Sequence, residues 1–567
     1  MRSRPTLHLC LLALLCARLV PAAVRAADAP PERMVELPPL MVSEPVNGPP
    51  WRYVAAPGIE VLSRCSDEVT VHWLEEMNRL RQSLNVLVPD SLRSKRAVPD
   101  VVVLYNEENK PVVSKEVVAD LMRDARDRTE EKQGRRGGAT GYRSMPNLWL
   151  ADRDSMVFFY VLQERGFVRS ELRLTPDYVR YLARSRTPAP PMWFVEGMVD
   201  LFSAGDFGRD PVVFDTVEWD SPAATKNIKR DVDYPRSLLP LADLFATWPP
   251  QDPNGALRRR EAALFLRWAL DGKNQPRRPA LLKFIAQASM MPVTEDLFRE
   301  CFGLGYVDVQ ERLADYLSDA TGKTLVLIAG EPVALPRLNP RLATDLEVAR
   351  MKGDWERMEI SYIKDIYPQL APKYAEQARR TLMNAYDKGE RDPQLLGMIG
   401  LCEVDAGNDA EARKYLEAAV QGGVTRPRVG YELARLRYAE AKAEPGGTGG
   451  RLSAAQATMV LQPLLNVYHQ APPMLEIYAL SADVWSHSAP ALTRQNLVVL
   501  DEGMTYFPRN LPLIYQAAWL NARQGFKTEA ERIIARGLMA GPDAAFQQRL
   551  EQLRASLAAA PAAPPSS

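Results

Sequence analysis

Apolar and polar positions along this chain fall into three regimes. At the amino end Arg2 and Arg4 precede a mostly apolar stretch from Leu7 to Leu15. From Trp51 onward short apolar runs alternate with helical spacing. Tyr53, Val54, Ile59, Val61 and Leu62 read as strand. Ser66 to Val88 repeats Val69, Trp73, Met77, Leu80, Leu84 and Leu87 every three or four positions, which predicts a helix buried along one face. Ser66 is its expected N-cap, with Asp67 and Glu68 in the first turn. Asp100 to Tyr105 is a short, mostly apolar run and reads as a buried strand, and Leu148 to Leu162 offers one or two more. Further helices are predicted over 175–185, 191–203, 255–271, 279–290 and 307–320. Strands followed by helices argue for an α+β domain over 51–321, with 322–340 as a connector.

Beyond Leu342 strand patterns stop, and 341–557 reads as an all-α solenoid of helical hairpins. Asp392-Pro393 and Arg426-Pro427 stand 34 residues apart, the period of tetratricopeptide repeats. Gly400 falls in a first helix, and Gly407 to Ala412 supplies the turn and the small residue for a second helix. The same glycine-to-alanine spacing recurs from Gly525 to Ala530, and a third pair spans Met474 to Phe507 and stops at Pro508. Pro445 to Gly450 reads as an insertion between units. The Ala/Pro/Ser-rich tail, 558–567, is expected to be disordered.

Composition changes the picture at both ends. Residues 1–26 end in Val24-Arg25-Ala26, fit a secretory signal peptide and predict an exported protein in a bacterial periplasm or outside the cell. Residues 27–50 hold seven prolines and read as an extended lead, with an apolar patch from Val35 to Val42. Lys plus Arg and Asp plus Glu both number 71, a balance that argues against a nucleic-acid partner. No later stretch reaches the ~18 apolar residues of a membrane span. Cys65, Cys301 and Cys402 are widely spaced and form neither a disulfide framework nor a metal-ligand pattern.

The chemistry worth weighing lies in two stretches, Leu174 to Leu182 and Pro190 to Asp200. Through Trp193-Phe-Val-Glu196-Gly197 the region resembles the gluzincin, peptidase-MA-like metallopeptidases, with a weaker similarity over 51–321. In that family two histidines, one helical turn apart, bind zinc; the Glu between them is the general base, and a Glu on the next helix is the third ligand. The resemblance puts Pro176 and Arg180 at the histidine positions, Asp177 at the base, Glu196 at the third ligand and Asp200 at a supporting acidic position. Proline offers no donor, and arginine is permanently cationic. The implied domain is therefore a pseudoenzyme: no catalytic residue, no metal and no cofactor, with five vestigial positions. A bidentate pair between Arg180 and Glu196, open to sharing with Asp177 or Asp200, is the expected replacement. The competing reading is an ordinary helix start, with Thr175 as N-cap, Pro176 at the first position and Asp177 near the positive end of the dipole.

Other motifs carry less. Thr321 to Thr324 ends like a phosphate loop, but position 317 is Leu where that loop begins with Gly. Gly134 to Gly138 reads as a surface turn, Arg258 to Arg260 as a solvated helix face, and His72 as an ordinary helix residue. The expected function is an exported, non-catalytic protein whose repeats bind a peptide or protein partner. An active metallopeptidase using Asp177, Glu196 and Asp200 around a harder ion, and a purely structural array, are the alternatives.

Overall fold

The computed structural model describes residues 34–37, 40–43, 49–92, 98–106, 112–113, 148–162, 164, 176–207, 211–217, 219, 238–249, 252–272, 276–327, 337–366, 368–489 and 491–559. The signal segment, Thr175 and Gly134 to Gly138 lie outside them. The chain divides into two compact units, one of 1–49 with 108–146 and one of 50–107 with 147–567. In the first unit, β1 (Met34–Leu37), β2 (Leu40–Ser43) and β6 (Val112–Val113) form an antiparallel sheet. The stretch expected as an extended lead thus contains a hairpin, made from its apolar patch.

The second unit is built on a six-stranded sheet. Its strands are β3 (Arg52–Ala56), β4 (Ile59–Ser63), β5 (Asp100–Asn106), β7 (Leu148–Ala151), β8 (Met156–Leu162) and β12 (Arg341–Leu342), in the order β12-β3-β4-β5-β8-β7. β4, β5 and β8 run parallel, and the outer strands are antiparallel to their neighbours. Side chains alternate faces along each strand. Ile59, Val61, Val102, Leu104, Phe158 and Tyr160 join one large core. Helix α1 (Asp67–Val86) supplies Trp73, Met77 and Leu80 to the same core, capped by Ser66 as its sequence predicts. α2 (Pro176–Arg184) and α3 (Met192–Ser203) pack there too, followed by α4 (Leu241–Phe245), α5 (Gly255–Leu270), α6 (Arg278–Met290), α7 (Glu295–Phe302) and α8 (Tyr306–Gly322). A second small sheet orders β11 (Leu325–Leu327), β10 (Val212–Phe214) and β9 (Gly205–Asp206). The expected connector therefore gives one strand, β11, to the body.

From Asp345 the chain forms five antiparallel helix pairs and a closing helix. They are α9 (Asp345–Ile366) with α10 (Ala371–Asp387), α11 (Pro393–Ala406) with α12 (Asp409–Gln421), α13 (Pro427–Ala443) with α14 (Ala454–Val467), α15 (Leu475–Ser486) with α16 (Arg494–Tyr506), α17 (Leu511–Arg523) with α18 (Lys527–Met539), and α19 (Ala544–Ala559). The start of α11 is written locally. Asp392 accepts hydrogen bonds from the Gln394 and Leu395 amides, and Pro393 takes the first helical position, where no amide is needed. Gly407 ends α11 at φ 87°, a left-handed conformation that costs glycine little, and Ala412 is fully buried against the facing helix. The first helix of each pair packs on the first helix of the next, which makes one continuous inner layer.

The array does not begin where the sheet ends. Helix α9 covers the other face of the sheet: Trp355 lies 5.0 Å from the Phe159 ring of β8, and Arg350 bonds Glu60 of β4. A boundary near residue 321 or 341 therefore cuts through packed layers, because the first helix of the array is also a layer of the α+β body.

Candidate functional site

The two stretches singled out in the sequence become α2 and α3, which pack directly on each other. Arg180 sits on α2 and Glu196 one turn into α3, and they meet as a fork. Arg180 Nε donates to Glu196 Oε1 at 2.9 Å, and Arg180 Nη2 donates to Oε2 at 3.0 Å. Parallel bonds of this kind are the strongest a carboxylate makes with a side chain. Arg184, one turn beyond Arg180, adds a third bond from Nη2 to Oε1 at 3.2 Å and touches the Met192 sulfur. The Glu196 carboxylate is 9% exposed, against 27% for Arg180 and 52% for Arg184. Burial pushes its pKa up, but the Arg180 bonds and charge, then Arg184 and Arg259, outweigh this and hold it below the usual carboxylate range.

The end of α2 is pinned by Arg186. Its guanidinium is buried and donates to the Leu182 and Leu92 carbonyls and to Asn85 Oδ1. Tyr181 reaches Asp100 at 3.3 Å, and Tyr178 stands edge-on to Phe158, 4.6 Å between rings. These contacts fix the register of α2 against the sheet, so the fork is held by a rigid frame. Arg184 and Arg186 carry no motif in the sequence, and Arg259 reads there only as part of a solvated face; the spacing of four between Arg180 and Arg184, which puts them on one helix face, was the available signal.

The other positions divide. Asp200 lies one turn after Glu196 on α3 and is half-buried. Pro176 and Asp177 open α2, but their side chains, like Thr175, lie outside the described residues. Two members of the motif that carries the family resemblance have packing duties of their own. Trp193 is buried among Phe245, Phe265 and Phe284, with ring separations of 5.2 to 5.6 Å. Gly197 is where α3 crosses α5: a Cβ there would stand 2.9 Å from the Ala262 backbone, closer than real contacts allow.

The lesser motifs resolve plainly. Arg258 was expected on a solvated helix face, but it is 14% exposed and paired with Asp252 at 2.5 Å, because the chain before α5 folds back over it. Thr321 and Lys323 close α8, with Lys323 on Asp319 at 2.7 Å. His72 pairs with Glu76 one turn along α1.

No family model matches the chain, and no curated protein matches it. Among solved structures it is similar to YrrB, described as a TPR protein with an unusual peptide-binding site, at 12% identity and a TM-score of 0.25, over 35% of this chain and 91% of that one. It is also similar to PilF of Pseudomonas aeruginosa, at 12% identity and a TM-score of 0.23, over 36% of this chain and 90% of that one. Likeness at such scores identifies no relative, and the hairpins of 345–559 stand on their own caps and packing.

Proposed function

We propose that this chain is an exported, non-catalytic binding protein: a peptidase-like body that has lost its metal chemistry, fused to a tetratricopeptide-like array that engages a peptide or protein segment. The observation that carries the first half is the occupancy of Glu196. Both of its oxygens accept from guanidinium groups, and two cations stand beside the one carboxylate that a zinc ion would use. A dication entering there meets repulsion rather than lone pairs. The carboxylate set of Asp177, Glu196 and Asp200 around a harder ion is disfavoured for the same reason.

The second half is supported by the surface of the last helices. Tyr515, Trp519 and Arg523 recur every four residues on α17, and Phe546 and Arg549 stand on α19. Arg549 stacks on both Tyr515 and Phe546, and Arg523 on Trp519, which leaves a half-exposed stripe of aromatic faces and cations. Such surfaces suit an extended segment with aromatic or acidic side chains. A purely structural array is favoured instead by the packing of Trp355 on the sheet.

Zinc titration of the purified full chain tests the first half. No stoichiometric zinc and no chelator-sensitive proteolysis are expected; one tightly held zinc per chain, with hydrolysis that chelation abolishes, would overturn it. Pro176→His, Asp177→Glu and Arg180→His together rebuild the missing ligands beside Glu196 and are expected to restore zinc binding. Screening full-length wild type and Trp519→Ala against a peptide library tests the second half. Binding that Trp519→Ala weakens is expected, and a library with no binder would favour the structural array.

A further inference from the structure

The tight turn between β7 and β8 is Asp152-Arg153-Asp154-Ser155, closed by the Asp152 amide on the Ser155 carbonyl. Arg153 reaches the surface, but the Asp152 carboxylate, Asp154 and Ser155 are inserted among the inner helices of the array. Arg357 of α9, Arg426 at the start of α13 and Arg428 one residue into α13 converge on it, each less than 10% exposed. Asp152 receives Arg357 at 2.6 Å, Arg428 at 2.5 Å and Arg426 at 3.3 Å. Asp154 receives Arg426 Nε at 3.1 Å and the Arg428 amide at 2.9 Å, and Arg426 also reaches the Ser155 hydroxyl. Arg153 turns the other way, onto the Tyr431 ring of α13 and Glu476 of α15.

The array side of this contact is already assembled without the turn. Asp354 of α9 braces Arg357 and Arg426, and Asp405 at the end of α11 braces Arg357 and Arg428. Glu432 of α13 adds a third array carboxylate, 3.7 Å from Arg428, so what the array leaves over is donors rather than net charge: Arg357 Nη2, Arg426 Nε and Nη2, Arg428 Nη1 and the Arg428 amide all find acceptors on the turn. Buried donors left without acceptors are costly, so this face calls for an occupant dense in acceptors, and two closely spaced carboxylates are the strongest that a peptide segment offers. The residues come from the first helices of consecutive pairs, so the occupied surface is the inner layer of the repeats.

We propose that the inner face of α9, α11 and α13 is a binding site for an acidic segment of the form Asp-x-Asp, and that this chain fills it with its own β7–β8 turn. The site rests on the reading of the array as a segment-binding surface. It makes the first three pairs self-occupied and leaves α17 and α19 as the surface open to partners.

The test uses the full chain and a synthetic peptide containing Asp-Arg-Asp-Ser. Asp152→Asn with Asp154→Asn removes the charges of the internal ligand while keeping its shape. That variant is expected to bind the peptide at least tenfold more tightly than wild type does, with affinity falling as salt rises. A folded variant that does not bind, or a wild type that binds equally well, would overturn the proposal. Hydrogen exchange on unmodified wild type decides the matter even where the variant does not fold. Amides of 152–155 are expected to be protected as strongly as those of β8, and exchange at the rate of an open turn would sink the site. A library screen with no binder would instead count against the array as a partner surface, so the two failures are distinguishable.

Discussion

Glu196 keeps its charge in a largely enclosed position because Arg180 binds both of its oxygens, while the more exposed Arg184 adds an outer contact. Arg180→Ala is therefore expected to cost about 1–3 kcal/mol, the scale of a carboxylate stripped of its partner, and Arg184→Ala less than about 0.5 kcal/mol. Urea unfolding of the two variants measures the contrast, and equal losses would contradict it. Glu261, buried on α5, behaves in the opposite sense. Burial raises its pKa to about 7, against the pull of the Leu239 amide and Arg258. A carboxyl whose folded value exceeds its unfolded value, 4.5, stabilises the fold fully below 4.5, and that contribution is lost as pH rises through about 7. Glu261→Gln keeps an acceptor for the Leu239 amide without the charge. The variant is expected to gain on wild type by about 1–3 kcal/mol between pH 4.5 and 8, read from stability curves at several pH values; a constant difference would contradict it. The Arg180 to Glu196 fork could be foreseen because an unpaired buried glutamate and an arginine were set at facing positions. The network around Asp152 and Asp154 could not, since its members lie more than two hundred residues apart and each looks like an ordinary surface charge in sequence.

Among the elements, the long helices were legible and the short strands were not. α1, α3, α5 and α6 start and end within a residue or two of their sequence pattern, α1 and α6 because they bury one face, α3 and α5 because they carry long apolar runs that are buried all round. α7 has eight residues, and β9 and β12 two each, too few for any period to register. What the pattern also misses is partnership: β3 and β4 read as one strand, yet they are a hairpin turning at Pro57-Gly58. The Glu-Gly pair of α3 illustrates how one motif can serve two ends. Glu196 belongs to the fork, while Gly197 exists for the crossing with α5. Gly197→Val is expected to force the helices apart at a cost of about 1–3 kcal/mol, visible as a lower melting temperature. An unchanged melting temperature would mean that the crossing is looser than the structure has it.

At the scale of the whole second unit, the sheet is a middle layer. Helices of the body cover one face and α9 the other, and the β7–β8 turn carries the sheet's edge into the array. Gly541, after α18, lies beside Pro292, after α6, so closely that a Cβ there would stand 2.7 Å from the proline ring, which brings the far end of the array up against the same body. Sequence periodicity separated the two halves because a helical repeat and a strand run have different periods, whereas a layer shared between them leaves no periodic trace. Arg426 is the residue where that sharing concentrates, since it bonds Asp152, Asp154 and Ser155 of the turn as well as Asp354 of α9. Breaking a buried pair of this kind costs about 3–5 kcal/mol. The direct measurement is equilibrium urea unfolding of wild type and Arg426→Ala, followed at once by tryptophan fluorescence and by helical circular dichroism. One coincident transition in wild type, displaced to lower urea or split in two by Arg426→Ala, is the expected result. Two separate transitions in wild type, both indifferent to Arg426→Ala, would contradict a body and an array folded as one.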